Sequence, residues 1–131
     1  MAKTIQQTVK FGASPQRLFN IYMDSKRHGE AINSRASVSR KVGGKFSAFD
    51  GALAGRNLAI VPNRMIVQSW RGSNWKKTDP DSILILTFSK APGGARVNLV
   101  HANLPDHAYT RIQKGWTTYY WNPWRAYLRR K

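Results

Sequence analysis

Cysteine is absent from this chain, which removes disulfide and thiolate chemistry and fits a reducing compartment. Acidic residues are scarce: six Asp and Glu stand against 22 Lys and Arg, for a formal charge of +16 and a pI near 11.1. There is no long hydrophobic run. Apolar stretches such as Ile83 to Leu86 fall far short of the roughly 20 residues a membrane-spanning helix needs. The N-terminus, MAKTIQQTVKF, lacks an apolar signal region followed by a small-residue cleavage site, so a cytoplasmic location is expected. The three histidines, His28, His101 and His107, fall in different elements without metal-ligand spacing, so neither a metal nor a cofactor is expected.

The few acids also leave little room for carboxylate catalysis. Asp24 and Asp106 stand where helix caps are expected, Asp50 precedes a turn glycine, Asp79 and Asp81 flank Pro80 in a loop, and Glu30 is assigned to solvent. No catalytic residue is therefore assigned. Gly43-Gly44 reads as a tight turn, because a phosphate-binding loop needs more glycines and a following helix.

What the chain does contain is a clear order of periods. Thr4 to Phe11 alternates as a strand, with Ile5, Val9 and Phe11 on one side and a polar Gln7 among them. Ser14 before Pro15 is a helix start, and Leu18, Phe19 and Tyr22 give the apolar stripe. Asp24 opens a second short helix, Ser25 to Ile32. Strands are then expected over Val38 to Val42, Lys45 to Phe49, Leu53 to Val61, Met65 to Arg71, Ser82 to Ser89 and Arg96 to Ala102, separated by Gly, Pro and Asn turns. Gly72 to Asp81 is the one longer connection. Short connections make consecutive strands antiparallel neighbours.

The strongest period lies in Asp106 to Arg130. At 100° per residue, Ala108, Tyr109, Ile112, Trp116, Tyr119, Tyr120, Trp124 and Tyr127 share one arc, and Arg111, Thr118, Asn122, Arg125 and Arg129 the opposite one. Pro123 is expected to bend this helix without erasing it. The fold class is thus α+β: a curved antiparallel sheet wrapped around a long C-terminal helix, with two short helices after the first strand. With no repeat, linker or low-complexity tract, residues 1–131 are read as a single domain.

Several stretches match one family together. GGKFSAFDGALAG (Gly43 to Gly55), VPNRMIVQSWRGSNW (Val61 to Trp75), Ser82 to Phe88, LVHANLP and GWTTYYWNPWRAYL resemble the C-terminal domain of activators of the heat-shock chaperone ATPase. The resemblance covers nearly the whole chain and implies the helix-grip fold of the START-like superfamily, whose members often hold a cavity between sheet and long helix. It implies noncatalytic binding of a small hydrophobic or aromatic ligand there, with Trp70, His101, Tyr109, Ile112, Trp116, Tyr119 and Tyr120 as cavity candidates. His101 joins them because it keeps the period of two with Val97 and Leu99.

Two alternatives stand beside that reading. One is a co-chaperone-like interaction module docking on an acidic protein such as a chaperone, with Arg56, Lys76 and Lys77 aiding encounter. The other is a cyclase or hydrolase using His101 with a tyrosine hydroxyl. For nucleic acid, only weak, salt-sensitive association is expected, through Arg129, Arg130 and Lys131 with Arg125, because the basic residues are dispersed along the sequence.

Overall fold

The computed structural model describes residues 2–130. Its chain runs β1 (Lys3–Phe11), α1 (Pro15–Met23), α2 (Ser25–Ile32), β2 (Ala36–Val38), β3 (Lys45–Ala48), β4 (Leu53–Val61), β5 (Met65–Gly72), β6 (Ser82–Ala91), β7 (Gly94–Leu104), α3 (Asp106–Gly115), a π-helical turn (Trp116–Trp121) and α4 (Asn122–Arg129). The seven strands form one antiparallel sheet in the order β1-β7-β6-β5-β4-β3-β2. Strands β2 to β7 are a meander, and β1 closes onto β7 with Val9 opposite Val97. This puts β1 and β2 at opposite edges, so α1 and α2 must cross the sheet to join them. They do so on its concave face, where Phe19 meets Phe88 edge to face at 5.8 Å.

Both short helices begin as their sequences dictate. The Ser14 hydroxyl accepts from the Arg17 amide at 3.1 Å, and the Asp24 carboxylate accepts from the Arg27 amide at 3.0 Å. The second helix stops at Asn33, whose left-handed backbone (φ 56) satisfies the end of the helix. The third helix departs from expectation: Pro105, not Asp106, takes the capping position, and Asp106 stands in the first turn, where its charge favours the helix N-terminus.

The expected strand Val38 to Val42 is not formed, and β2 ends at Val38. The cause is a buried side chain on another strand. The Asn57 Nδ2 amide donates to the Ser39 and Lys41 carbonyls at 2.7 and 3.0 Å, and the Asn57 backbone exchanges bonds with Gly43 and Gly44. Carbonyls that would extend a ladder are turned inward instead, and Val42 is left exposed. Similarly, β3 ends at Ala48 rather than Phe49, because Phe49 and Asp50 adopt left-handed backbone with φ 53 and 56.

The C-terminal helix is continuous in helical geometry from Asp106 to Arg129, but its middle turn is widened to π spacing. In a π turn the N–H of residue i reaches the carbonyl of i−5, and here Asn122 N–H donates to Thr117. Pro123 follows immediately, and without an N–H it cannot restore α pairing at its own position. One residue is thereby gained on the turn. Trp121 is drawn into the core and Tyr119 is turned out to 57% exposure, reversing the places that a uniform 100° projection assigns them.

Inside, Trp116, Tyr120, Trp121 and Trp124 pack with Phe11, Tyr22, Leu18, Leu84 and Leu99. Gln7, the polar residue on the inward side of β1, accepts from Trp121 Nε1 at 2.8 Å and donates to the Gln113 carbonyl at 3.2 Å. Its polarity therefore ties helix to sheet. The strands β4 and β5 approach so closely that a Cβ at Gly55 would lie 1.7 Å from the Ser69 carbonyl oxygen. Gly55→Ala is expected to destabilise the fold by about 2–3 kcal/mol, the usual cost of overpacking, through forced separation of these strands. Denaturant unfolding checks this, and a loss under about 0.5 kcal/mol, within the range of a surface substitution, would show that the strands move apart freely.

Candidate functional site

A cleft lies between the C-terminal helix and the β3–β4–β5 end of the sheet. Its inner lobe, about 340 Å³, is lined by Phe49, Leu53, Trp70, Ile112, Trp116 and Tyr120, with Ala52, Arg111, Gly115 and Tyr119 around them. The volume falls within the range of small-ligand sites. Each wall has a local cause. Trp70 ends the inward alternation Ile66, Gln68, Trp70 on β5, and Ile112 and Trp116 lie four apart on the helix face above it. Phe49 enters from its left-handed turn, an unfavourable conformation for a bulky residue that costs roughly 1–3 kcal/mol. There its ring meets those of Tyr119 and Tyr120 edge to face at 5.7 and 5.8 Å.

Of the residues singled out from sequence, the structure brings Trp70, Ile112, Trp116, Tyr119 and Tyr120 to this lobe and leaves His101 and Tyr109 out of its lining. Tyr109 is half-buried beside β1, with the Lys3 ammonium 5.0 Å from its ring centre. His101 lies behind the wall, fully buried, its ring 4.7 Å from Trp70 and 5.9 Å from Trp116. Phe49, Ala52, Leu53, Arg111 and Gly115 were missed. The inward register of Leu53 is legible in the sequence, whereas helical projection puts Arg111 on the polar arc and alternation puts Phe49 in a strand.

The hydrogen bonds of His101 fix its state. Trp116 Nε1 can only donate, and it lies 3.1 Å from His101 Nδ1, so Nδ1 is an acceptor. His101 Nε2 then carries the proton and donates to Ser82 Oγ at 2.9 Å, leaving the serine hydroxyl to donate to the Trp70 carbonyl at 2.6 Å. Every polar group in this relay is paired. Burial holds the imidazole down to about 3, so it is neutral at physiological pH.

A second clamp repeats the logic. His28 Nδ1 faces the Tyr22 carbonyl at 2.7 Å and so must donate, and Tyr120 Oη donates to His28 Nε2 at 2.9 Å. Burial lowers His28 to about 4, although the Tyr22 carbonyl works in the opposite direction. Burial likewise raises the Tyr120 hydroxyl well above its ordinary value. Tyr22 Oη donates to Gln68, which in turn donates to Asn57.

These bonds bear on acid-base chemistry. His101 has its lone pair on Trp116 and its proton on Ser82, and no tyrosine hydroxyl bonds to it; the tyrosine–histidine pair that exists is Tyr120 with His28. No direct hydrogen bond joins His101 to a tyrosine hydroxyl, so the pair that the cyclase or hydrolase reading names is not formed by direct contact. Among the described residues no group of three or more His, Asp and Glu is placed to hold a metal ion. No described helix is long and apolar enough to cross a membrane. At the basic end of the chain, Arg125 lies over Phe11 and donates to the Lys10 carbonyl, Arg130 lies over Tyr127, and Lys131 falls outside the described residues.

Residues 12–129 match the family model "Activator of Hsp90 ATPase homolog 1-like protein". An activator of 90 kDa heat shock protein ATPase homolog from Dictyostelium discoideum is 28% identical over 115 residues, covering 87% of this chain and 30% of the relative. Homolog 1 from Homo sapiens is 27% identical over 89% of this chain and 34% of its own length. The chain thus spans about a third of the length of these curated relatives. Among solved structures, an HSP90 activator from Plasmodium falciparum superposes with a TM-score of 0.84 at 27% identity, covering 98% of this chain and 96% of the other. A Mesorhizobium loti protein with the same TM-score, 0.84, is 19% identical and shares the fold.

The two neutral histidines make stability depend on pH. Both titrate lower in the folded chain than when unfolded, where the value is near 6.5, so the unfolded state binds more protons at mildly acidic pH. Their contribution is complete above about pH 6.5 and is lost as the pH falls toward 4 and then 3. Unfolding free energies from urea titrations between pH 7 and pH 4.5 are expected to fall with a slope approaching two protons, about 2.7 kcal/mol per pH unit at the steep end. His101→Phe is expected to halve that slope, and a pH-independent midpoint would contradict the neutral assignments.

Proposed function

We propose, from the premise that this chain belongs to the activator of Hsp90 ATPase homolog 1-like family, that it is a noncatalytic, co-chaperone-like module whose partner is a chaperone of the 90 kDa heat-shock class. The observation that carries this reading is the match of nearly the whole chain, at 27% identity, to an HSP90 activator of known structure. The surface is consistent with an acidic partner. No strand among the described residues contains an acidic residue, and the sheet face turned away from the helices sets like charges directly opposite each other, Lys10 against Arg96 and Lys45 against Arg56. Such pairs are unfavourable alone and are relieved when a carboxylate-bearing surface covers them. Across the same face, Val100, Ile85, Val67 and Ala59 lie in register over four strands as a half-buried apolar band.

The test adds the full chain to the chaperone's ATPase assay and measures binding at rising salt. Stimulated turnover is expected, with affinity falling several-fold between 50 and 300 mM salt, because surface charge pairs are screened over roughly 10 Å at 0.1 M. Reversing Lys10 and Arg96 to Glu is expected to slow association more than it speeds dissociation. No stimulation and no binding at saturating concentration would discard the reading.

The apolar cleft favours a second reading, retention of a small hydrophobic or aromatic molecule against Trp70, Trp116 and Tyr120. Such a molecule is expected to remain with the protein isolated from its own cells and to appear in native mass spectrometry. Its displacement is expected to change tryptophan emission, since two of the five tryptophans border the inner lobe. A protein of bare mass whose emission no apolar compound alters would remove this second reading.

A further inference from the structure

The inner lobe continues into an outer one of about 340 Å³, lined by Gly72, Ser73, Asn74, Trp75, His107 and Ala108 together with residues of the first. Ala52, Leu53, Trp70, Arg111 and Ile112 border both lobes, so Arg111 marks their junction. We propose that the cleft selects amphiphiles with an apolar body and a carboxylate head, the body lying on Trp70, Trp116 and Tyr120 and the carboxylate on Arg111. This rests on the ligand reading of the same cleft and adds the chemistry of the head group.

Two observations carry it. Arg111 is exposed at the rim and its guanidinium has no ion pair or hydrogen bond among the described residues, whereas that of Arg71 is held by Asp81, the Asp79 and Lys76 carbonyls and the Trp75 ring. Among the described residues no carboxylate lines either lobe, and Asp79 is taken by His107 at 2.7 Å.

The head group follows from charge count. One guanidinium pairs in fork geometry with one carboxylate, whereas a dianionic phosphate would call for further cations and an ammonium would be repelled. Beside an apolar wall the attraction is also stronger than in open water.

Gly115 supplies a control independent of Arg111. It stands in the helix (φ −62, ψ −35) with its face to the inner lobe, and a Cβ there would meet nothing nearer than the Tyr119 ring at 3.5 Å. Gly115→Leu is therefore expected to fill the lobe while raising the melting temperature, since glycine is a poor helix former.

The experiment titrates the full chain with dodecanoate, dodecanol and dodecylamine, each below its aggregation threshold, following tryptophan emission and calorimetry. Dodecanoate is expected to bind about ten-fold or more tightly than dodecanol, with dodecylamine weakest, in keeping with the strength of charge-assisted bonds. Arg111→Gln is expected to remove the carboxylate preference and leave dodecanol binding and the melting temperature unchanged, while Gly115→Leu weakens all three. Equal affinity for the three probes would overturn the head-group assignment and leave the cleft reading intact. A preference that survives Arg111→Gln would overturn the role of that residue, and dodecanoate binding untouched by Gly115→Leu would move the site elsewhere. Failure of every probe to bind would overturn both readings.

Discussion

The hydrogen bond from Trp116 to His101 joins the long helix to the floor of the sheet, and the remainder of the site is arranged around it. Trp116 can only donate, so it fixes the tautomer of His101; that tautomer directs Ser82, and Ser82 closes onto the Trp70 carbonyl. One indole thereby holds the helix at a set height above β5, β6 and β7. The Tyr120–His28 bond performs the same service toward the short helices, one helical turn further along. Both depend on dryness, because a protonated imidazole could not accept either bond. Polar residues in this core thus position the helix.

Between the two clamps and the strand end, the aromatic packing is left open. Phe49 is carried into the wall by a left-handed turn, and Gly115 offers no side chain where the helix passes over. Both features cost stability: a strained backbone in one case and a poor helix former in the other. An ordinary core would contain neither. They leave an apolar space whose rim carries Arg111, a cation unpaired among the described residues in a protein with few carboxylates to meet it.

The π turn decides which aromatics belong to the core and which to the rim. Widening the helix by one residue brings Trp121 against Phe11 and Trp124, at 5.9 and 5.4 Å between ring centres. Tyr119 moves outward to stand over Phe49 at the mouth. A helix of uniform pitch would bury Tyr119 and expose Trp121, and Gln7 on β1 would lose its partner. Pro123 makes the change local, since α pairing is absent at that one position and resumes after it.

Much of the architecture could be read directly from residue order. Ser14-Pro15 and Asp24 start helices wherever they occur ahead of an apolar stripe, and alternation in β5, β6 and β7 fixed which side chains face inward, His101 among them. The family was legible in the GGKFSAFDGALAG and GWTTYYWNPWRAYL stretches. Tertiary structure decided what depends on distant partners. The end of β2 was set by Asn57, nineteen positions from Val38, which takes the carbonyls that a ladder would have used. The inward turn of Phe49 and the place of Arg111 at the junction of two lobes were likewise invisible, because a period describes one element, while a cleft is the space left between several. Alternation could place His101 inside but not say whether it lined the cavity, for burial follows from the face of a strand, and access depends on what the opposing helix lays across it.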